Sequence, residues 1–281
     1  MTKVALITGA SSGFGLLTSV TLARRGWRVL ATMRDLNRRG KLEESARAAG
    51  VLDRIEFLSL DVTNAEQIAE LAATIAARPD PLDAVVNNAG FAMAGFAEDI
   101  TDAELRQQFE TNFFGVAAVT RAFLPQLRRQ GEGHVVIISS ITGRMGFPGV
   151  GSYVASKFAL EGWAESLRLE MKPLGIQVVL VEPGSFETDI WSRNAILSAQ
   201  TQDANSPNAA RIARLLSSRE SGKLKANPQV VADGIAAILD DPRPRLRYVF
   251  GWDAHLGLAL KRLLPSRLLE WLLIKVSGIG A

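Results

Sequence analysis

Val4-Ala5-Leu6-Ile7-Thr8-Gly9-Ala10-Ser11-Ser12-Gly13-Phe14-Gly15 is the stretch that decides the fold. Val4 to Thr8 is a short apolar run, which reads as a buried strand. A glycine-rich turn follows, and then Leu16, Leu17, Val20, Leu22 and Ala23 recur at helical spacing. Strand, glycine turn and helix in that order form a pyrophosphate cradle. The glycines permit tight turning and close backbone approach, and the helix N-terminus supplies positive potential. The spacing is Gly-x-x-x-Gly-x-Gly, not the commoner Gly-x-Gly-x-x-Gly. An ordinary glycine turn is the competing reading, and the flanking strand and helix weigh against it.

The rest of the chain repeats the alternation. Strands are expected near 4–8, 28–33, 55–59, 83–87, 134–139, 176–182 and 246–250, with helices at 13–25, 64–77, 101–129 and 152–172. Most of the strands are uniformly apolar, as parallel strands covered on both faces are. The expected fold is a Rossmann-type doubly wound parallel α/β sheet with right-handed crossovers and helices on both faces. At 281 residues and 47% hydrophobic content the chain suits a single domain, 1–281. Ligands of such sheets bind beyond the C-terminal strand ends. Thr8, Asp61, Asn88, Ser140 and Pro183 all fall there. Residues 198–209 are the most loop-like segment.

Composition excludes several chemistries. There is no cysteine, so disulfides, thiolate catalysis and cysteine metal sites are out. Two histidines, His134 and His255, have no ligand spacing, and no metal is expected. His134 opens a strand and reads as structural. No Gly-x-Ser-x-Gly elbow surrounds Ser139 or Ser140. A net charge of +3 is too mild for a nucleic-acid binder. Neither a signal peptide nor a spanning run of apolar residues is read from the sequence, and a cytoplasmic location is expected.

Tyr153 and Lys157, in Ser152-Tyr153-Val154-Ala155-Ser156-Lys157, lie four residues apart on one helix face. An ammonium beside a phenol favours the phenolate, which makes the tyrosine a usable proton donor and acceptor. A solvated helix face is the bland alternative, and Tyr-x-x-x-Lys alone is weak evidence.

In company with the other motifs, the pair resembles that of the short-chain dehydrogenases/reductases. Thr8 to Gly15 matches that family's nucleotide motif, Asn87 to Gly90 its Asn-Asn-Ala-Gly, and Asn112 in Asn-Phe-Phe-Gly its relay asparagine. Pro183-Gly184 matches the segment after the sixth strand. The matches span residues 4 to 188 in family order. The resemblance implies Asn112, Ser140, Tyr153 and Lys157 as catalytic, with Ser139 as the rival to Ser140. It implies cofactor contacts from Gly9, Ser11, Ser12, Gly13, Phe14, Gly15, Asp61, Val62, Asn88, Ala89, Gly90, Tyr153, Lys157, Pro183, Gly184 and Thr188, the last near the nicotinamide carboxamide. It implies a substrate lid at about 185–228 and a homodimer or homotetramer built on the helices at 101–129 and 152–172. The overall pattern looks most like the hydroxysteroid and retinol dehydrogenase branch.

The second strand ends Leu30-Ala31-Thr32-Met33-Arg34-Asp35. An NAD enzyme usually carries an acid there for the ribose hydroxyls. By resemblance the acidic position is Met33, and the Arg34 guanidinium suits a 2′-phosphate. NADP(H) is therefore expected, with Asp35 and NAD as the competing reading. A nicotinamide would carry the hydride. Ser140 and Tyr153 would hold a carbonyl oxygen, Tyr153 would give its proton to the developing alkoxide, Lys157 would stabilise it and bind the ribose, and Asn112 would hold a water.

The substrate candidates are Ser140, Met145, Phe147, Tyr153, Phe186 and Trp191, with Phe91 and Met93 behind them. Their apolar character suggests a hydrophobic ketone, aldehyde or alcohol. A C-terminal extension from about 252 to 281 is rich in leucine and tryptophan, with Lys261, Arg262, Arg267 and Lys275, and Pro265 should split it into two helices. Covering the pocket or a neighbouring subunit is preferred to lying on a membrane surface. Two other functions compete. A non-catalytic nucleotide sensor would not need the whole relay. A sugar-nucleotide epimerase or dehydratase would show different glycine spacing and a larger C-terminal domain.

Overall fold

The structure, a computed structural model, describes residues 2–188, 195–203, 205–220 and 226–279. Its strands and helices alternate. β1 (Val4–Ile7) leads to α1 (Gly13–Arg24), β2 (Arg28–Met33) to α2 (Gly40–Ala48), and β3 (Ile55–Ser59) to α3 (Ala65–Ala76). Next come β4 (Ala84–Asn87), a short β5 (Ala92–Ala94), α4 (Asp102–Phe109), α5 (Val116–Gln130), β6 (Gly133–Ile138), α6 (Gly151–Met171) and β7 (Ile176–Pro183). The chain continues through β8 (Ala195–Leu197), α7 (Ala209–Glu220), α8 (Gln229–Asp240) and β9 (Arg247–Phe250) to α9 (Trp252–Leu263) and α10 (Ser266–Ser277).

Seven strands form one parallel sheet in the order β3-β2-β1-β4-β6-β7-β9. The order runs outward from β1 in one direction and then resumes at β4 on the other side. A crevice opens where it reverses, at the C-terminal ends of β1 and β4. Side-chain alternation feeds two layers. Ala5, Ile7, Val29, Ala31 and Val86 pack toward α1 and α8, whereas Val4, Leu6, Leu30 and Val85 pack toward α3 and α5. Each fully buried leucine or isoleucine contributes about 1.5–3 kcal/mol by leaving water. The uniform apolarity of the strands is the trace of this two-sided burial.

Three departures from the sequence reading concern the site. The helix expected over 101–129 is not one α-helix: a π segment, Glu110–Gly115, joins α4 to α5 and turns Asn112 inward. Such segments insert an extra residue per turn and re-aim a side chain. A second, two-stranded sheet pairs β5 with β8, which the short runs did not announce. The loop-like stretch 198–209 is pinned onto the start of α4. Asn208 donates to Glu98 at 2.7 Å and Asp99 at 3.1 Å, and the Ala199 N–H donates to Glu104 at 2.9 Å.

Pro265 does separate two helices in the tail. α9 packs on the turn Ile141–Gly143, and α10 on α7. Among the described residues, no helix is long and apolar enough to cross a membrane.

Candidate active site

The glycine turn and the Asn87–Gly90 segment are built against each other. Gly9 has φ +66°, and a Cβ there would fall 2.8 Å from the Ala89 Cα. Only glycine suits both the left-handed backbone and the close approach. Asn88 Nδ2 donates to the carbonyls of Thr8 and Gly9, both at 2.9 Å. Thr8 Oγ1 accepts from the N–H groups of Asn88 and Ala89, each at 3.0 Å. Asn87 is anchored separately, donating to Thr120 at 2.9 Å. The first turn of α1 has no acidic residue to quench its positive end. Ser11, Ser12, Gly13 and Phe14 line the crevice there, while Gly15 lies beneath them against Asn88 and Gly9. Thr188 faces Gly13 across the gap.

At the other end of the crevice, Ser140, Tyr153 and Lys157 converge. Tyr153 and Lys157 sit one turn apart at the start of α6, and both are buried. Lys157 Nζ donates to the Ile138 carbonyl at 2.7 Å and stands 5.7 Å from the centre of the Tyr153 ring. Burial pulls the lysine down to about 8, opposed by the charge of Glu161. Burial pushes Tyr153 up to about 12, with the Ser140 hydroxyl pulling the other way. The expected acidification of the phenol is therefore corrected: in the protein alone, desolvation raises it and outweighs the pull of the Ser140 and Thr142 hydroxyls. Ser140 starts the turn after β6, where its Oγ accepts from the Thr142 N–H at 3.1 Å. The rival Ser139 also lines the crevice, so proximity alone does not separate the two serines.

Asn112 does not line the crevice; it stands behind the wall. Its Oδ1 accepts from the Phe91 N–H at 3.1 Å, and its Nδ2 donates to the Phe91 carbonyl at 3.0 Å and to Ser156 Oγ at 3.4 Å. A second lone pair on Oδ1 is what the side chain can still offer a water.

The crevice encloses about 570 Å³ and contains most of the cofactor residues named from the sequence, including Arg34, Asp61, Val62, Ala89, Gly90, Pro183 and Gly184. Arg34 and Arg38 stand exposed at its mouth. Asp35 caps the following turn, accepting from Asn37 N–H at 2.9 Å. Asp61 holds its loop through Thr63 Oγ1 at 2.8 Å, while Asn64 caps α3, accepting from Gln67 N–H at 3.0 Å. Asp253, in the first turn of α9, accepts from the Ser185 N–H at 2.7 Å and so clamps the Pro183-Gly184 segment from the tail.

The substrate candidates divide. Phe186 lines the crevice, but its ring packs edge-on against Phe14, with centroids 5.7 Å apart. Met145 and Phe147 do not line it, contrary to expectation. Met145 packs under α9, where a Cβ on Gly257 would touch it at 3.1 Å, and Phe147 packs against the cluster of Ala92, Ala94, Val150 and Tyr153. Trp191 lies outside the described residues. Gln107, Thr111 and Ile196 line the crevice and were missed. Gln107 and Thr111 share the four-residue spacing that ends beside Asn112, which could have found the first two. Ile196 depends on the β5–β8 pairing and had no local signal. His134 is structural: it contacts the Asp241 carbonyl at 3.2 Å.

Behind the site lies a buried charge cluster. Glu182 on β7 has a fully buried side chain and meets Arg144 at 3.2 Å and Arg247 at 3.0 Å. Burial, then the charge of Glu161, push its carboxyl up from 4.5 to about 7, against the pull of the two arginines. The folded protein thus binds this proton more tightly than the unfolded chain. The resulting stabilisation is complete below the unfolded value of 4.5 and is lost as pH rises through about 7. At about 1.4 kcal/mol per pH unit the swing is on the order of a few kcal/mol. Glu182→Gln cannot ionise, so its melting temperature relative to wild type should climb between about pH 4.5 and about pH 7 and level off above that. A difference independent of pH would contradict the assignment.

Comparison with known proteins agrees with this geometry. Residues 3–196 match the family model for short chain dehydrogenase. The chain is 42% identical to the uncharacterized oxidoreductase YusZ of Bacillus subtilis, over 97% of this chain and 98% of that one. It is 35% identical to retinol dehydrogenase 8 of Bos taurus, over 94% and 86%. A short-chain dehydrogenase from Streptomyces avermitilis superposes with a TM-score of 0.81 at 36% identity, covering 98% and 97%. Two further neighbours, both 26% identical, were solved with a nicotinamide cofactor. One, from Burkholderia cenocepacia, holds NADP (TM-score 0.74, 97% and 98% covered). The other, from Burkholderia phymatum, holds NAD (TM-score 0.77, 96% and 95% covered). Together these matches define an oxidoreductase of the short-chain type acting on CH–OH groups. The chain belongs to the short-chain dehydrogenase/reductase family.

Proposed function

We propose that the protein interconverts a hydrophobic ketone or aldehyde and its alcohol, with NADP(H) as the cofactor. The observation that carries the reading is the convergence of Ser140, Tyr153 and Lys157 at one end of a crevice whose other end presents Arg34. The residues fit a dinucleotide: Gly9 lets the turn lie against Ala89, the segment Ser11 to Gly13 lines the crevice, and the α1 N-terminus is unquenched. Bound there, a nicotinamide supplies or accepts the hydride. Pro183, Gly184 and Thr188 would flank its ring end, and Lys157 its ribose. Ser140 and Tyr153 donate hydrogen bonds to the carbonyl oxygen. At neutral pH a phenol near 12 is fully protonated, so Tyr153 is poised to give its proton as an alkoxide develops. The Lys157 ammonium stabilises that charge. Asn112 holds the water from which the phenol is reprotonated.

Phe91, Phe186 and Ile196 line the crevice beside this constellation and favour an apolar substrate, while Gln107 and Thr111 add hydrogen-bonding groups. Likeness to retinol dehydrogenase 8 supports the hydroxysteroid and retinol branch. Residues 185–228 serve as the lid, and the tail from 252 supports the pocket wall. A homodimer or homotetramer is supported by Leu105, Phe114 and Leu169, exposed on the α4–α5 and α6 helices.

Cofactor choice rests on Arg34. The Asp35 carboxylate already caps a turn, which supports NADP over NAD; the NAD-bound neighbour keeps the alternative specific. Arg34→Ala should weaken NADPH binding by about 1–3 kcal/mol, the worth of a charge-assisted hydrogen bond. NADH affinity should barely change. Equal losses for both cofactors, by fluorescence titration, would mean that Arg34 does not read the 2′-phosphate.

A further inference from the structure

Glu161 lies one helical turn beyond Lys157 on α6 and is only 4% exposed. Its Oε2 accepts from Arg247 Nε at 3.0 Å, but its buried Oε1 has no hydrogen-bond partner among the described residues. A buried carboxylate oxygen left without a partner is costly unless a nearby cation offsets it. Gly143 lets the turn after β6 press onto this part of α6. A Cβ there would fall 2.9 Å from Glu161 Cγ, 2.9 Å from Ser139 Oγ and 3.1 Å from the Lys157 carbonyl oxygen. Glu161, Lys157 and the end of β6 therefore close around a residue with no side chain.

The surroundings can be enumerated. Lys157 is faced by Tyr153 and Glu161 from its own helix and by the Ile138 carbonyl from β6, and among the described residues Glu161 is the carboxylate that acts on its charge. Glu161 is faced by Lys157 and by Arg247 of β9; Glu182 of β7 shares that guanidinium, as does Glu165, at 2.5 Å. Arg144 completes the cluster by pairing with Glu182, and Lys261 of α9 donates to the Arg144 carbonyl. Burial by itself works to strip the proton from the lysine.

We propose that Glu161 is a positioning residue for the proton relay, acting through Lys157: its buried carboxylate keeps the lysine charged inside a desolvated site. Arg247 tempers that field by pairing with the same carboxylate. The inference rests on the proposed role of Lys157.

The test is the pH profile of kcat for NADPH-dependent carbonyl reduction. Its alkaline limb should follow loss of the Lys157 proton. Glu161→Gln keeps shape and removes charge, so the limb should move to lower pH by at least about half a unit. Glu165→Gln removes an exposed partner of the same arginine and should leave the limb in place. Arg247→Gln removes a cation from beside Glu161 and should move the limb the opposite way, to higher pH, which keeps the test alive if Glu161→Gln does not fold. A limb that stays put in a folded Glu161→Gln, or fails to rise in Arg247→Gln, overturns the proposal. Turnover that survives Tyr153→Phe would remove the relay itself and the proposal with it; an unmoved limb in a Tyr153-dependent enzyme removes the proposal alone.

Discussion

Tyr153→Phe should lower kcat by about 10²–10⁴-fold, the contribution of a positioned general acid, and leave NADPH affinity close to wild type. The ring belongs to the cluster of Ala92, Ala94 and Val150, and phenylalanine preserves that packing. What disappears is the hydroxyl proposed to give its proton to the alkoxide. Because burial holds the phenol near 12, the wild-type enzyme reaches neutral pH with the donor fully loaded. Steady-state reduction kinetics and a parallel titration of cofactor fluorescence separate the two effects. Turnover near wild type would contradict the assigned role, and loss of cofactor binding would point to collapse of the site.

Lys157→Ala should do broader damage. One ammonium is assigned both the ribose and the developing alkoxide, so NADPH affinity and kcat should both fall, kcat by at least about 10²-fold. Stability should fall too. Lys157 Nζ donates to the buried Ile138 carbonyl at 2.7 Å, and an orphaned acceptor costs about 1–3 kcal/mol. The signature that distinguishes it from Tyr153→Phe is the simultaneous rise of the cofactor dissociation constant and drop of the melting temperature. Wild-type NADPH affinity in a folded Lys157→Ala protein would deny the lysine its ribose contact.

Where the sequence was legible, the physics was local. Val4–Ile7 and Gly9–Gly15 declare a strand, a turn that demands glycine and a helix start, and each is visible within a few residues. Uniformly apolar runs declare strands covered on both faces, and most of the seven were readable for that reason. Tyr153 and Lys157 share a helix face by spacing alone. What was not legible depends on distant partners. The π segment that turns Asn112 toward Phe91 and Ser156 has no local signature in Glu-Thr-Asn-Phe-Phe-Gly. β5 and β8 are three residues each and exist because they pair across about a hundred residues of chain. Met145 looked like a pocket residue from its place between Ser140 and Tyr153, yet α9 returns from the far end of the chain to cover it. The acidity of Tyr153 was misjudged for the same reason: spacing reveals the nearby ammonium, whereas desolvation is set by everything folded around the phenol.

The most direct test of the central claim is a cofactor-oxidation assay of the wild-type protein. NADPH and NADH would be supplied in turn with a panel of steroid, retinoid and acyl carbonyl compounds. The account predicts stoichiometric NADPH oxidation and alcohol formation with at least one apolar carbonyl, with kcat/KM at least about tenfold lower for NADH, as one lost charge-assisted contact implies. Tight NADPH binding without turnover of any carbonyl in the panel, or of the corresponding alcohols with NADP⁺, would contradict it and leave a nucleotide sensor in its place.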